Sequence, residues 1–416
     1  MRVLFVHERF GAMAGAEANL YLTATEFKRR GHCVGIIHGK STGKAEERWN
    51  ATFAQKFALN GDVAKSVESA LAAFGPDIVY VHKMADLEVI KTLLRSGVGL
   101  VRMIHDHDIY CMRSYKYNYF TRQVCKRAAS AYCMFPCGAV IARKRGGILP
   151  VKWVSYFGKK KEIALNQRFN RLVVVSRYMR NELLRNGFDV RKVEIHPPVP
   201  RPGDPSIRSN FSEKNLILYA GQIIRGKGVD VLLRALALVT MPFECIILGE
   251  GSHKEYCEKL CVRLELQDRV KFLGFVPQEQ LQEFYKECTA VALSSVWPEP
   301  FATIGMEVMR YGLPVVAFDV GGISDWLVDG QNGYLVAAGD CTAYAERLER
   351  LLRDKVLARG MGENGLKMVN EKFSYDAYID DLEKMFATVI AETKRTVGEA
   401  STFSTVVEVT ASSAAV

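Results

Sequence analysis

Two glutamates eight positions apart, Glu299 and Glu307, enclose Pro300-Phe301-Ala302-Thr303-Ile304-Gly305-Met306. A carboxylate just ahead of a helix can accept hydrogen bonds from sugar hydroxyls, and one two turns further on can accept from a ribose. Between them a helix N-terminus, at Thr303 and Ile304, offers backbone N–H groups and the positive end of its dipole to a diphosphate. Taken alone, the spacing fits two surface carboxylates equally well. A second group is Gly221-Gln222-Ile223-Ile224-Arg225-Gly226-Lys227-Gly228, where glycines admit a close ligand and Arg225 and Lys227 bring positive charge. His105 directly follows the apolar run Leu100-Val101-Arg102-Met103-Ile104, at the sheet edge where open α/β folds bind ligands, with His107 as the competing imidazole. Asp106-His107-Asp108 also reads as the metal-binding pattern Asp-x-Asp, but a three-residue motif is cheap and no metal is expected there.

Strands that end at a common edge must position these groups. Apolar runs at residues 2–7, 33–37, 77–81, 100–104 and 172–175 alternate with helical patterns, which is the signature of a doubly wound parallel sheet. A second series, at residues 216–219, 245–248, 270–273, 290–293 and 314–318, repeats it. Five prolines between Pro197 and Pro205 separate the two as a stiff linker. The expected fold class is therefore α/β, with two Rossmann-like domains facing across a cleft. The first domain spans 1–197, the linker 198–212 and the second domain 213–374. A helix at about 375–394 packs back on the first domain, and a tail at 396–416 is expected to be disordered.

The 416 residues suit two domains, and 49% hydrophobic with 25% charged residues excludes disordered and disulfide-knot classes. No run is long and apolar enough to cross a membrane, so the chain reads as cytoplasmic, and ten cysteines fit reduced thiols. Four of them, Cys111, Cys125, Cys133 and Cys137, lie close together. They read as free thiols, with a structural metal or a redox pair as the alternative. The net charge of +10 is unevenly placed: residues 101–200 hold 20 Lys and Arg against 6 Asp and Glu, and the remainder is slightly acidic. Arg143-Lys144-Arg145 and Lys159-Lys160-Lys161 flank a segment with Trp153, an arrangement suited to an anionic membrane surface, with a solvated basic surface as the alternative. No nucleic-acid-binding module accompanies the patch.

The Glu299–Glu307 segment resembles the E-x7-E signature of the retaining group 1 glycosyltransferases, which have the GT-B fold. Gly221 to Gly228 resembles that family's donor-phosphate loop, with Lys227 at the lysine position and Gln222 where the family has arginine; Arg225 can supply the missing charge. Gly249-Glu250-Gly251, the segment through Phe275, Asp319-Val320-Gly321-Gly322 and Asp329-Gly330-Gln331-Asn332-Gly333 sit at family-like intervals. Ala14-Gly15-Ala16-Glu17 resembles the Gly-Gly-x-Glu loop, with alanine in place of the first glycine, and Gly31-His32 a structural turn. The resemblance implies a donor site with Glu299, Lys227, Arg225 and His105 in catalytic positions, and Gly15, Gln222, Gly249, Phe275, Thr303, Ile304 and Glu307 binding the donor. It further implies a UDP- or GDP-sugar donor, no required cofactor, a glycan or lipid-linked acceptor, and front-face transfer with retention and no protein nucleophile. A sugar-nucleotide hydrolase or epimerase on the same fold, or a silent binding protein favoured by Gln222 and Ala14, are the alternatives.

Overall fold

A computed structural model describes residues 1–12, 15–118, 121–135, 137–143, 151–199, 207–211 and 214–412. The first domain runs through β1 (Arg2–Phe10), α1 (Ala16–Arg29), β2 (Cys33–Ser41), α2 (Glu46–Thr52), β3 (Gln55–Ala58), α3 (Val63–Phe74), β4 (Ile78–Val81), α4 (Leu87–Arg95) and β5 (Gly99–Ile104). A long connection carries the small hairpin β6 (Ile141–Arg143) and β7 (Val151–Trp153). It leads to α5 (Tyr156–Asn166), β8 (Arg171–Val174), α6 (Arg177–Arg185) and β9 (Val193–Ile195). The seven main strands form one parallel sheet in the order β3-β2-β1-β4-β5-β8-β9. Helices cover both faces of such a sheet, so its inner strands β4 and β5 are buried throughout and read as continuous apolar runs.

The second domain comprises β10 (Leu216–Ala220), α7 (Val229–Leu236), β11 (Glu244–Leu248), α8 (Lys254–Arg263), β12 (Val270–Gly274), α9 (Gln278–Tyr285) and β13 (Cys288–Leu293). It continues through α10 (Ile304–Met309), β14 (Val315–Phe318), β15 (Gly333–Val336), α11 (Cys341–Arg353) and α12 (Lys355–Lys372). Its sheet, β12-β11-β10-β13-β14-β15, is again parallel. In both sheets the order reverses beside the first strand, which puts a ligand crevice at the carboxyl ends of the strands there.

The last helix, α13 (Tyr375–Ser412), returns to the first domain. Phe386 is fully buried, with its ring 5.5 Å from Phe27 and 5.0 Å from Tyr80. Glu383 takes His32 Nε2 at 2.6 Å and Arg30 Nη1 at 2.9 Å, and the Tyr375 hydroxyl donates to the Leu22 carbonyl. His32 thus anchors a helix. The stretch expected to be a disordered tail is helical as far as Ser412, where it continues α13 with no proline to interrupt it. Ala14, Lys144, Arg145 and most of the proline linker lie outside the described residues, as does the side chain of Arg143.

Candidate active site

The loop after β10 is shaped by glycines. Gly228 has φ +66°, and a Cβ on it would fall 2.0 Å from the Ser294 carbonyl oxygen. One on Gly249, at φ +140°, would fall 1.8 Å from the Gly221 carbonyl oxygen. No other residue fits either place, so the loops after β10, β11 and β13 close on one another. A short 3-10 turn, Arg225–Lys227, then aims Lys227 at the segment after β13.

There Glu299 is 3% exposed. Lys227 Nζ lies 2.7 Å from its Oε1, Trp297 Nε1 donates to the same oxygen at 2.8 Å, and the Ser295 hydroxyl makes a third, very short bond to it. Burial pushes this carboxyl up, but Lys227 and the hydrogen bonds outweigh it, so Glu299 is held below the usual carboxylate range and stays ionised. All three donors converge on Oε1, and Oε2 takes no hydrogen bond from the described residues. The Trp297 ring lies against Gly226, with Lys227 Nζ 5.6 Å from its centroid. The backbone is fixed as well: Gly322 N–H donates to the Glu299 carbonyl at 2.7 Å.

The structure brings Glu299 and Lys227 into contact and places Arg225 half-buried in the same turn. Gln222 is exposed, and its carbonyl accepts from the Tyr219 hydroxyl at 2.9 Å. Phe275 is an exposed rim residue beyond β12, and Gly15, at φ +59°, caps α1. Glu307 lies within the first turn of α10 rather than two turns along a helix. Ala302 at φ +60° delays helix formation, so α10 has only six residues and Thr303 becomes its N-cap. The carbonyls of Ala302 and Thr303 already take the N–H groups of Gly305, Met306 and Glu307. The dipole available to a diphosphate is correspondingly small.

Across the cleft, His105 Nε2 pairs with His82 Nδ1 at 2.9 Å, and burial pushes the His105 imidazole down to about 3, so it is neutral. The two rings line an opening of about 40 Å³, together with Lys83, Arg102, Asp106 and Glu162. Arg102 is buried there with Nε and Nη1 lacking partners, and the space admits a water or a hydroxyl group. The Asp-x-Asp pair is occupied by Lys83, whose Nζ lies 2.9 Å from Asp106 and 2.8 Å from Asp108. His107 does not face the opening: it is buried, bonded to Tyr110 and to the Pro298 carbonyl. Sequence reasoning missed that contact, as it did Ser295 and Trp297; the only local signal was their position two and four residues before Glu299. Among the described residues no group of three or more His, Cys, Asp or Glu is arranged to hold a metal, and all ten cysteines are free.

Residues 204–368 match the family model "Glycosyl transferases group 1", and residues 13–199 match "Glycosyltransferase Family 4". The chain is thus similar to glycosyltransferases over both domains, and to the group 1 model over the second. The N-acetyl-alpha-D-glucosaminyl L-malate synthase of Bacillus anthracis is 30% identical over 185 residues, covering 44% of this chain and 48% of that protein. An uncharacterized glycosyltransferase of Methanocaldococcus jannaschii is 32% identical over 166 residues, covering 39% and 42%. The chain thus spans about half the length of the curated relatives it matches. Anabaena HepE in complex with UDP and glucose superimposes with a TM-score of 0.70 at 17% identity, covering 93% of this chain and all of that one. The sucrose-phosphate synthase of Thermosynechococcus elongatus gives 0.69 at 16%, covering 94% and 100%. The fold is GT-B.

Proposed function

We propose that this protein transfers a hexose-type sugar from a UDP- or GDP-sugar to a glycan or lipid-linked acceptor, with retention of configuration. The observation that carries the reading is the ionised, buried Glu299, with one oxygen held by three donors that include Lys227 and the other taking no hydrogen bond from the described residues. In this reading Oε2 accepts from the transferred sugar, Glu307 faces the ribose, and Lys227 with Arg225 stabilises the departing diphosphate. The solved structure of a similar fold with UDP and glucose supports such a donor. A thermal-shift screen of nucleotide sugars identifies the donor, because a ligand that binds the native state raises its apparent stability. With that donor, Glu299→Ala should retain nucleotide binding and lose at least about a hundredfold in transfer. Full transfer by the variant would refute the assignment, and product formed without any acceptor would favour a hydrolase.

The acceptor half also carries a surface suited to anionic lipid. Trp153 is 76% exposed and Phe157 77%, beside exposed Lys160 and Lys161 on α5. Lys159 is not part of this surface, since its ammonium is engaged by Glu162 at 2.6 Å and by the Asp108 carbonyl. Among the described residues no helix is long and apolar enough to cross a membrane. Sedimentation with phosphatidylglycerol vesicles but not phosphatidylcholine vesicles, lost in a Trp153→Ala/Phe157→Ala variant, is the expected result; equal binding to both contradicts it.

A further inference from the structure

His107 belongs to the first domain by sequence, yet one of its hydrogen bonds spans the cleft. The residue is 1% exposed, with Nδ1 2.7 Å from the Tyr110 hydroxyl and Nε2 2.8 Å from the Pro298 carbonyl oxygen, one residue before Glu299. A carbonyl only accepts, so Nε2 carries the proton and the Tyr110 hydroxyl donates to Nδ1. The ring is held further by Tyr178, edge-on at 5.9 Å. Other first-domain groups approach the same loop. The Tyr115 ring lies 5.5 Å from Trp297, and Ser176 lies so close to Gly322 that a Cβ there would come within 2.7 Å of it. Elsewhere across the cleft, Arg122 pairs with Asp230 on α7 at 2.8 Å. The side chain of Glu299 is therefore held from within the second domain, while the backbone just before it is held from across the cleft.

We infer that His107 is a positioning residue: its Nε2–H fixes the Pro298 carbonyl and thereby aims the Glu299 carboxylate only when the two domains are together. Domain closure and the geometry of the donor carboxylate are then one event, and an open cleft leaves Glu299 misaligned. This role rests on the donor-site reading, in which Glu299 touches the transferred sugar. It differs from that reading in naming what sets the residue.

The Trp297 indole N–H is a direct reporter, because it donates to Glu299 Oε1, and the chain has four tryptophans, so the indole resonances can be assigned with a Trp297→Phe variant. In the ligand-free full chain, His107→Ala should move or split the Trp297 indole resonance while that of Trp49, buried in the first domain, stays in place. His107→Gln, which keeps one N–H donor and one acceptor, should restore it. Tyr110→Phe, a milder change, should move the same resonance less. With the donor identified by the thermal-shift screen, His107→Ala should lower kcat about tenfold with little change in donor KM, the pattern of an interaction made in the transition state. An unmoved Trp297 resonance in the correctly folded Ala and Phe variants overturns the proposal, as does a glutamine variant no better than alanine. If neither UDP nor GDP binds the native chain, the donor reading falls on that result, and the Trp297 response still decides the role of His107.

Discussion

Ala302 holds φ +60°, a conformation in which its Cβ crowds the following carbonyl, at the point where the chain turns from Glu299 into α10. Ala302→Gly should therefore stabilise the protein by about 1 kcal/mol, a rise of about 2–4 °C in Tm by calorimetry; a fall would show that the turn is not strained. Glu299 and Lys227, which the structure brings into contact, stand out in the sequence because their charges and the surrounding glycines form a pattern along the chain. The groups that complete the carboxylate's setting do not. Ser295 and Trp297 carry no spacing signal, and His107 reaches Pro298 from 191 positions away. The same is true of Lys83, which turns an apparent metal motif into an ion-paired cluster.

At the scale of elements, apolar patterning marked most buried strands of both sheets but missed the short buried β15, which begins at a motif glycine, and the strands that lack an apolar run. β3 is an edge strand with mostly exposed residues, and the β6–β7 hairpin has only three residues in each strand, so neither produces a run. The extent of α13 was also hidden, since Ser, Thr and Val in the final stretch are poor helix formers in isolation. Its anchoring is a matter of tertiary packing. Phe386→Ala should destabilise the first domain by about 3–5 kcal/mol in urea, because it empties a fully enclosed site against Phe27 and Tyr80. A loss below about 1 kcal/mol would mean that the helix is only loosely applied.

Over the whole molecule, the first domain buries imidazoles near the cleft: burial holds His7, His82, His105 and His107 below the ordinary value of 6.5. Below pH 6.5 the unfolded chain binds protons that the folded one refuses, so stability is complete above that pH and falls as the pH drops, for His105 down to about 3. The Tm should decline between pH 7 and pH 5, and His105→Gln should flatten the decline; a Tm independent of pH in that range would contradict the neutral, buried state. The charge excess lies in this same domain, whereas the proposed donor site in the other rests on a few placed groups. The donor site is the central claim, and calorimetric titration with UDP and GDP tests it most directly. The native chain should bind one of them, and Lys227→Ala should weaken that binding about tenfold or more, the worth of a charge-assisted hydrogen bond; no binding of either nucleotide, or equal binding by native and variant, would contradict it.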